Sequence, residues 1–143
     1  MAKKSLAVGH SAFFQTKPNL AESSFTDCDF QGSNLTSLNA TKVEFSDCGL
    51  NRVDFSETRF IESCFRAADS RRSTIKGSIF SCCKFESVLF DGVTFKDCIF
   101  TDALFIHCRI IDETGKTHLL TKADFEQGSS YAGNQIDECV FVR

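Results

Sequence analysis

The sequence is short of several side chains: it has no tryptophan, one tyrosine, one methionine and one proline. No apolar run approaches the ~18 residues of a membrane-spanning helix, so nothing is expected to cross a bilayer. The opening residues MAKKSLAVGHSAFF carry two lysines but no continuous apolar core, which argues against a secretory signal. A net charge of −3 is too mild to mark the chain as a polyanion or a polycation. Catalytic signatures are missing too. There is no glycine-rich phosphate loop, no H-E-x-x-H and no G-x-S-x-G. His10, His107 and His118 are scattered, and each reads as a solvated surface residue. The expectation is a protein that is not an enzyme and needs no cofactor.

Eight cysteines raise the question of disulfides or metal. Cys28, Cys48, Cys83, Cys98 and Cys108 share one class modulo five with Val, Ala and Ser. They read as small core-filling side chains in a reducing, bacterial cytoplasm, although a bridge between Cys28 and Cys48 in adjacent turns stays open. Cys82 and Cys83 point opposite ways on an extended chain and cannot chelate one ion together, so no metal is expected. Cys64 falls in an outward class and is expected to be the most reactive thiol.

What the chain has in quantity is phenylalanine. Of 16 Phe, 13 stand at multiples of five, as in KFESVLFDGVTFKDCIFTDALF from Lys84 to Phe105. An α-helix would turn successive rings about 140° apart, and a straight strand would alternate them between faces. A chain that turns a corner every five residues buries them all. The central residue and the small residue two before it then face inward, and the other three face solvent. A second period is 20: Phe25, Phe45, Phe65, Phe85, Phe105 and Phe125 are all Phe. Four units per turn would stack these six rings as a core ladder, each about 4.8 Å above the last. The fold class expected is all-β, a square-sectioned parallel β-solenoid.

Units such as SNLTS, VDFSE, ALFIH and ADFEQ resemble the pentapeptide-repeat family, over roughly residues 20–110. The resemblance implies a right-handed quadrilateral β-helix. It also implies that relatives of the quinolone-resistance type present an acidic rod resembling duplex DNA to DNA gyrase. This chain departs from the family's commonest unit by its heavy use of Phe and by apolar or basic residues where Asp or Asn is usual.

One domain over residues 1–143 is expected, with about five to six coils. Residues 1–17 would cap the N-terminal end through Phe13 or Phe14, and residues 18–110 would form the regular coils, with a weaker coil at Ser70. Glu113, Gly115 and His118 are implausible as core, so 111–119 reads as a loop or irregular coil turning at Gly115–Lys116. Residues 120–143 read as a last coil and C-terminal cap. Phe125 returns there in register, followed by a shifted series of Tyr131, Ile136 and Phe141 with Ser129, Asn134 and Cys139 two residues earlier.

Three outward groupings bear on function. Ile79, Leu89, Ile99, Leu104, Ile106, Ile111 and Leu119 are apolar at outward positions of the C-terminal half. They mark an interface with a protein partner or a second copy, lie beneath the tail, or simply reflect strand propensity. Lys76, Lys96 and Lys116 fall at spacing 20, beside Arg52 and Arg72. This basic column is a solvated face, or a contact for an acidic partner or nucleic acid. Without interleaved exposed aromatics, single-strand binding is not favoured. Glu22, Asp27, Asp29, Glu44, Asp47 and Glu62 make an acidic face in the N-terminal half. The leading reading is a protein-binding scaffold, dimerisation included. The alternative is a DNA mimic that binds gyrase, and the minor one is nucleic-acid contact through the lysines.

Overall fold

Turning a strand through a corner requires backbone that leaves the extended region, and the second residue after each central position does so. Asp47, Arg52, Glu57 and Glu62 have φ of 53°, 57°, 57° and 52°. Gly77 and Gly92, both at 64°, occupy the same place in their units. For a residue with a Cβ this left-handed conformation costs about 1 kcal/mol. The packing that it permits must offset that cost at every corner.

The computed structural model describes residues 2–4, 20–112, 114–126 and 133–143. They form a four-walled tube of stacked, parallel β-strands, about four turns long. The first wall is a seven-stranded sheet. It starts at Ala2–Lys4, continues through Ser23–Thr26, Glu44–Ser46, Cys64–Arg66, Lys84–Glu86 and Leu104–Ile106, and closes with Val140–Val142. The second wall stacks Asp29, Gly49, Asp69 and Leu89 through isolated bridges, and strand Leu89–Asp91 then pairs with Arg109–Ile111. The third pairs Thr74–Lys76 with Thr94–Lys96. The fourth is five-stranded, from Asn39–Thr41 to Gln135–Asp137. Partners in the regular walls are 20 residues apart, as in Phe25↔Phe45 and Phe60↔Phe80.

The rings inside stack as that spacing requires. Centroids along the first wall lie 5.4 Å apart for Phe25–Phe45 and Phe45–Phe65, 5.0 Å for Phe65–Phe85 and 4.8 Å for Phe85–Phe105. Phe60, Phe80 and Phe100 stack likewise on the fourth wall, at 5.0 and 4.8 Å. The small residue two before each ring has a second task. Ser63 donates to the Ala40 carbonyl at 2.6 Å, Ser78 to Phe55 at 2.7 Å and Thr58 to Leu35 at 2.8 Å. Cys48, Cys83, Cys98 and Cys108 do the same with sulfur, at 3.2–3.4 Å. Each satisfies a buried carbonyl 23 residues earlier, so this class takes hydroxyls and thiols as readily as Val or Ala.

The eight thiols are not joined in disulfides, so the Cys28–Cys48 bridge does not form. Burial pushes the thiols of Cys48, Cys98 and Cys108 up to about 11 and that of Cys83 to about 12. Cys64 corrects an expectation. It is only half-exposed and burial raises its pKa, whereas Cys82 stands exposed on a corner. A corner residue projects further from the tube than one on a flat wall.

The C-terminal part holds the main departures. Residues 111–119 leave the tube path as an antiparallel hairpin, with Arg109–Ile111 paired to Thr117–Leu119. Gly115, with φ 83°, donates to the Asp112 carbonyl in its turn. A 3-10 turn, Lys122–Phe125, follows, so Phe125 is not the sixth rung of the ladder. It plugs the end of the tube, fully buried, 4.9 Å from Phe100 and 5.4 Å from Phe105 at 49° to the latter. The sixth rung is Phe141, stacked 4.9 Å from Phe105 at 5°. Residues 20–110 keep the register for about four turns, and the last two strands add a further level after the excursion. Ile136 lies over Phe100. Asn134 takes the inward small position, accepting from the Cys98 amide at 3.1 Å and donating to the Phe95 and Phe125 carbonyls at 3.0 and 3.1 Å. The expectations for Phe13, Phe14, Glu113, Ser129 and Tyr131 concern positions outside the described residues.

Ser70 replaces a large side chain between Leu50 and Phe90. It leaves a cavity of about 20 Å³ lined by Phe65, Phe85 and Phe90, with the Ser70 hydroxyl unpartnered among the described residues. Ser70→Leu should fill that cavity and stabilise the protein by about 1–2 kcal/mol, read as a higher Tm. Phe65→Ala or Phe85→Ala should cost about 3–5 kcal/mol in denaturant titration. Under a limiting alkylating reagent, peptide mass mapping should find Cys82 labelled first and Cys83, Cys98 and Cys108 protected until unfolding. With folded-state pKa values raised from 9.0 to about 11–12, the unfolded chain loses its thiol protons first. Stability should therefore be level below pH ~9 and fall as pH rises toward 11–12.

Candidate interaction surface

Each wall shows three outward positions per unit, and a residue's neighbours on the surface are those 20 positions away on the same wall. By that rule the seven apolar residues do not make one stripe. Ile79 and Ile99 pair on the fourth wall, but Gln135 follows Ile99 there. Leu119 sits on the hairpin beside Arg109, with Leu89 on the other side of that arginine and Ile111 nearby on the second wall. Leu104 and Ile106 lie on the first wall. The excursion after Ile111 carries Leu119 onto the hairpin, and the corners divide the rest among three walls.

On the first wall the apolar surface is extended by residues that the spacing rule had not singled out. Val140 lies over Leu104 and Val142 over Ile106, on the last strand of the sheet. Val140 is 54% and Val142 44% exposed. The four side chains form a two-by-two apolar patch beside a sheet edge without a partner strand among the described residues. The C-terminal segment thus enlarges the apolar surface instead of covering it. A signal was present in VFV around Phe141, where apolar residues flank an inward ring on both sides. Further down the same wall the surface is charged. Glu86 meets Lys84 at 3.0 Å and Arg66 at 3.1 Å, and these two cations hold its carboxyl below the ordinary value.

The basic column is shorter than its spacing suggested. Lys76 and Lys96 are paired neighbours on the third wall, whereas Lys116 lies in the hairpin turn, its amide donating to Asp112 Oδ1 at 3.0 Å. Arg52 and Arg72 stand at the corner between the second and third walls. With Gln31, Asn51, Arg71 and Asp91 they line a shallow groove. Arg71 is clamped onto Asp69 by two bonds of 2.8 and 2.7 Å, which hold the Asp69 carboxyl below its usual range.

The acidic face is likewise divided. Glu22 and Glu62 occupy the corner before the first wall with Lys42 between them, and Lys42 pairs with Glu62 at 3.9 Å. Asp27 and Asp47 stack on the corner after it. Asp29 lies on the second wall, where its Oδ1 accepts from the Gln31 amide at 2.9 Å. Glu44 is on the first wall, 3.9 Å from Arg66. Two corners and two interleaved cations break the set into separate strips.

His118 is a structural residue rather than a solvated one. Its Nε2 lies 2.8 Å from Asp124 Oδ1 and its Nδ1 3.5 Å from Asp112 Oδ2. Asp124 also accepts from the Thr121 amide and hydroxyl, and the Thr114 hydroxyl lowers the Asp112 carboxyl. The hairpin and the plug are tied together through this ring. Among the described residues no group of three or more His, Cys, Asp or Glu is placed to hold a metal ion, and no helix is long and apolar enough to cross a membrane.

This geometry can be compared with known proteins. A trypsin-treated form of QnrB1, described as a plasmid-mediated fluoroquinolone resistance protein, superposes with a TM-score of 0.62 at 18% identity, over 99% of this chain and 69% of that one. A second trypsin-treated form gives 0.64 at 16% identity, over 96% and 73%. At these identities the likeness concerns the fold. No curated protein matches by sequence. The family model described as "Pentapeptide repeat region" matches residues 18–95. With more than half the sequence matched and the four-walled tube built from those repeats, the chain belongs to the pentapeptide repeat family.

Proposed function

We propose that this protein is a non-enzymatic binding scaffold that engages a protein partner, a second copy of itself included, through the C-terminal end of the first wall. The observation that carries this reading is the apolar patch of exposed Val140 and Val142 over half-buried Leu104 and Ile106, beside a sheet edge without a partner strand among the described residues. Contiguous apolar surface next to unpaired backbone suits burial against another chain, because both the side chains and the edge gain by it. A rigid solenoid with flat walls offers a surface more naturally than a reaction cleft. A reducing cytoplasm is the compartment proposed, in keeping with thiols left unbridged.

A second reading, DNA mimicry directed at DNA gyrase, draws on the fold shared with a fluoroquinolone resistance protein. The broken acidic strips and the net charge of −3 weigh against it. A supercoiling assay separates the two: mimicry requires inhibition or protection of gyrase at micromolar protein, and no effect at high concentration removes it.

For the leading reading, Val140→Lys with Ile106→Glu should reduce the molar mass in light scattering, or abolish capture of the partner that the unaltered protein retains. Val140 is exposed and Ile106 only half-buried, so the variant should still unfold cooperatively. A variant with unchanged mass and unchanged partners would count against the patch.

A further inference from the structure

We propose that the corner between the second and third walls is an anion site that takes a phosphate group between Arg52 and Arg72. The two arginines occupy the same corner position in consecutive coils, with φ of 57° and 58°. The Arg52 amide donates to the Arg71 carbonyl and the Arg72 amide to that of Asp91, both at 2.9 Å. Coil spacing therefore sets the two side-chain origins about 4.8 Å apart.

Elsewhere on this surface, opposite charges one coil apart pair, as Lys42 does with Glu62 at 3.9 Å and Arg66 with Glu86 at 3.1 Å. At this corner the stacked charges have the same sign, and no carboxylate lies within ion-pairing distance of either among the described residues. Asp69, the nearest candidate counter-ion by sequence, is held by both bonds from Arg71. Asp91 also lines the groove, where its charge acts on Arg71 without forming an ion pair with Arg52 or Arg72 among the described residues. Three guanidinia against Asp69 and Asp91 leave one positive charge in excess (3 − 2 = +1).

Glycines clear the two ends of the same column. Gly32 lies below, with nothing within 4 Å of a would-be Cβ. Gly92 lies above, where a Cβ would stand 3.4 Å from Arg72 Cγ. Gln31 and Asn51 line the groove on its second-wall side. Two planar N–H forks side by side present more donors than one carboxylate can accept, and they suit the three oxygens of a phosphate dianion. Two free arginines serve one phosphate; they do not make a track for a nucleic-acid backbone, which needs many such contacts.

The test is thermal unfolding of the whole chain in sodium phosphate and in sodium chloride at matched ionic strength. It is run at about pH 7.5, above the second phosphate pKa of ~6. General salting-out by phosphate raises every variant alike, so the readout is the difference between variants. The unaltered protein should gain more Tm from phosphate than Arg52→Gln/Arg72→Gln, whose phosphate affinity by calorimetry should fall about tenfold or more. Arg52→Lys/Arg72→Lys, which keeps the charge but not the forks, should fall between them, and Lys76→Gln/Lys96→Gln should match the unaltered protein. Equal gains in the unaltered protein and the glutamine variant would overturn the site, as would loss of the gain in the Lys76/Lys96 variant alone. A glycyl-phosphoseryl-glycine peptide compared with inorganic phosphate then identifies the source. Tighter binding of the peptide assigns the site to phosphorylated side chains, and equal or weaker binding assigns it to free phosphate.

Discussion

Each coil of this protein is held by the coil beneath it. The walls repeat at 20 residues, and that repeat aligns three interactions at once. Backbone amides meet carbonyls across the walls, as from Cys64 to Val43 at 2.8 Å. Phenylalanine rings stack with their centroids 4.8–5.4 Å apart along the first wall. Hydroxyls and thiols reach carbonyls 23 residues back. A slip of one residue would fail all three together and turn the polar positions inward. The left-handed corner residues are tolerated only because this stacking holds them, and the surface inherits its order from the same repeat.

That dependence explains how the tube can end. A last coil stacked on nothing exposes ring faces, and the chain meets the problem by leaving the tube. The hairpin after Ile111 and the 3-10 turn carry Phe125 into the open end, where it touches Phe95, Phe100 and Phe105. Asp112, His118 and Asp124 fasten the hairpin to the plug. The chain then returns as Gln135–Asp137 and Val140–Val142, two strands that close the fourth and first walls. Gly133 makes the return feasible: with φ 74°, a Cβ there would overlap the Asp97 carboxylate. The closing strand of the first wall brings apolar side chains to the outer face, so the device that ends the fold also shapes the surface beside it.

Electrostatics on the walls follow the same columns. Where the register brings unlike charges together, as at Lys84, Glu86 and Arg66, they form a small network on exposed surface, of little weight for stability. Where it brings like charges together, as at Arg52 and Arg72, the surface is left asking for a counter-ion. One repeat thus produces both a self-neutralised face and an unsatisfied one.

Phe at every fifth position, with small residues two earlier, determined the four-walled class, the inward positions and the register through Ser70, because a period that no helix or flat strand can bury leaves few geometries open. Residues 79 and 99, or 76 and 96, could be placed side by side from number alone. Leu119, Lys116 and Phe125 could not. Their numbers still fit the repeat, but tertiary structure sends the chain out of the tube at Ile111 and brings it back with Ile136 over Phe100 and Phe141 over Phe105, out of the fivefold phase. Only the folded molecule put Val140 and Val142 over Leu104 and Ile106, set His118 between two aspartates and split the acidic residues across corners. Those adjacencies depend on the path of the hairpin and the direction of each wall, which distance along the chain does not encode.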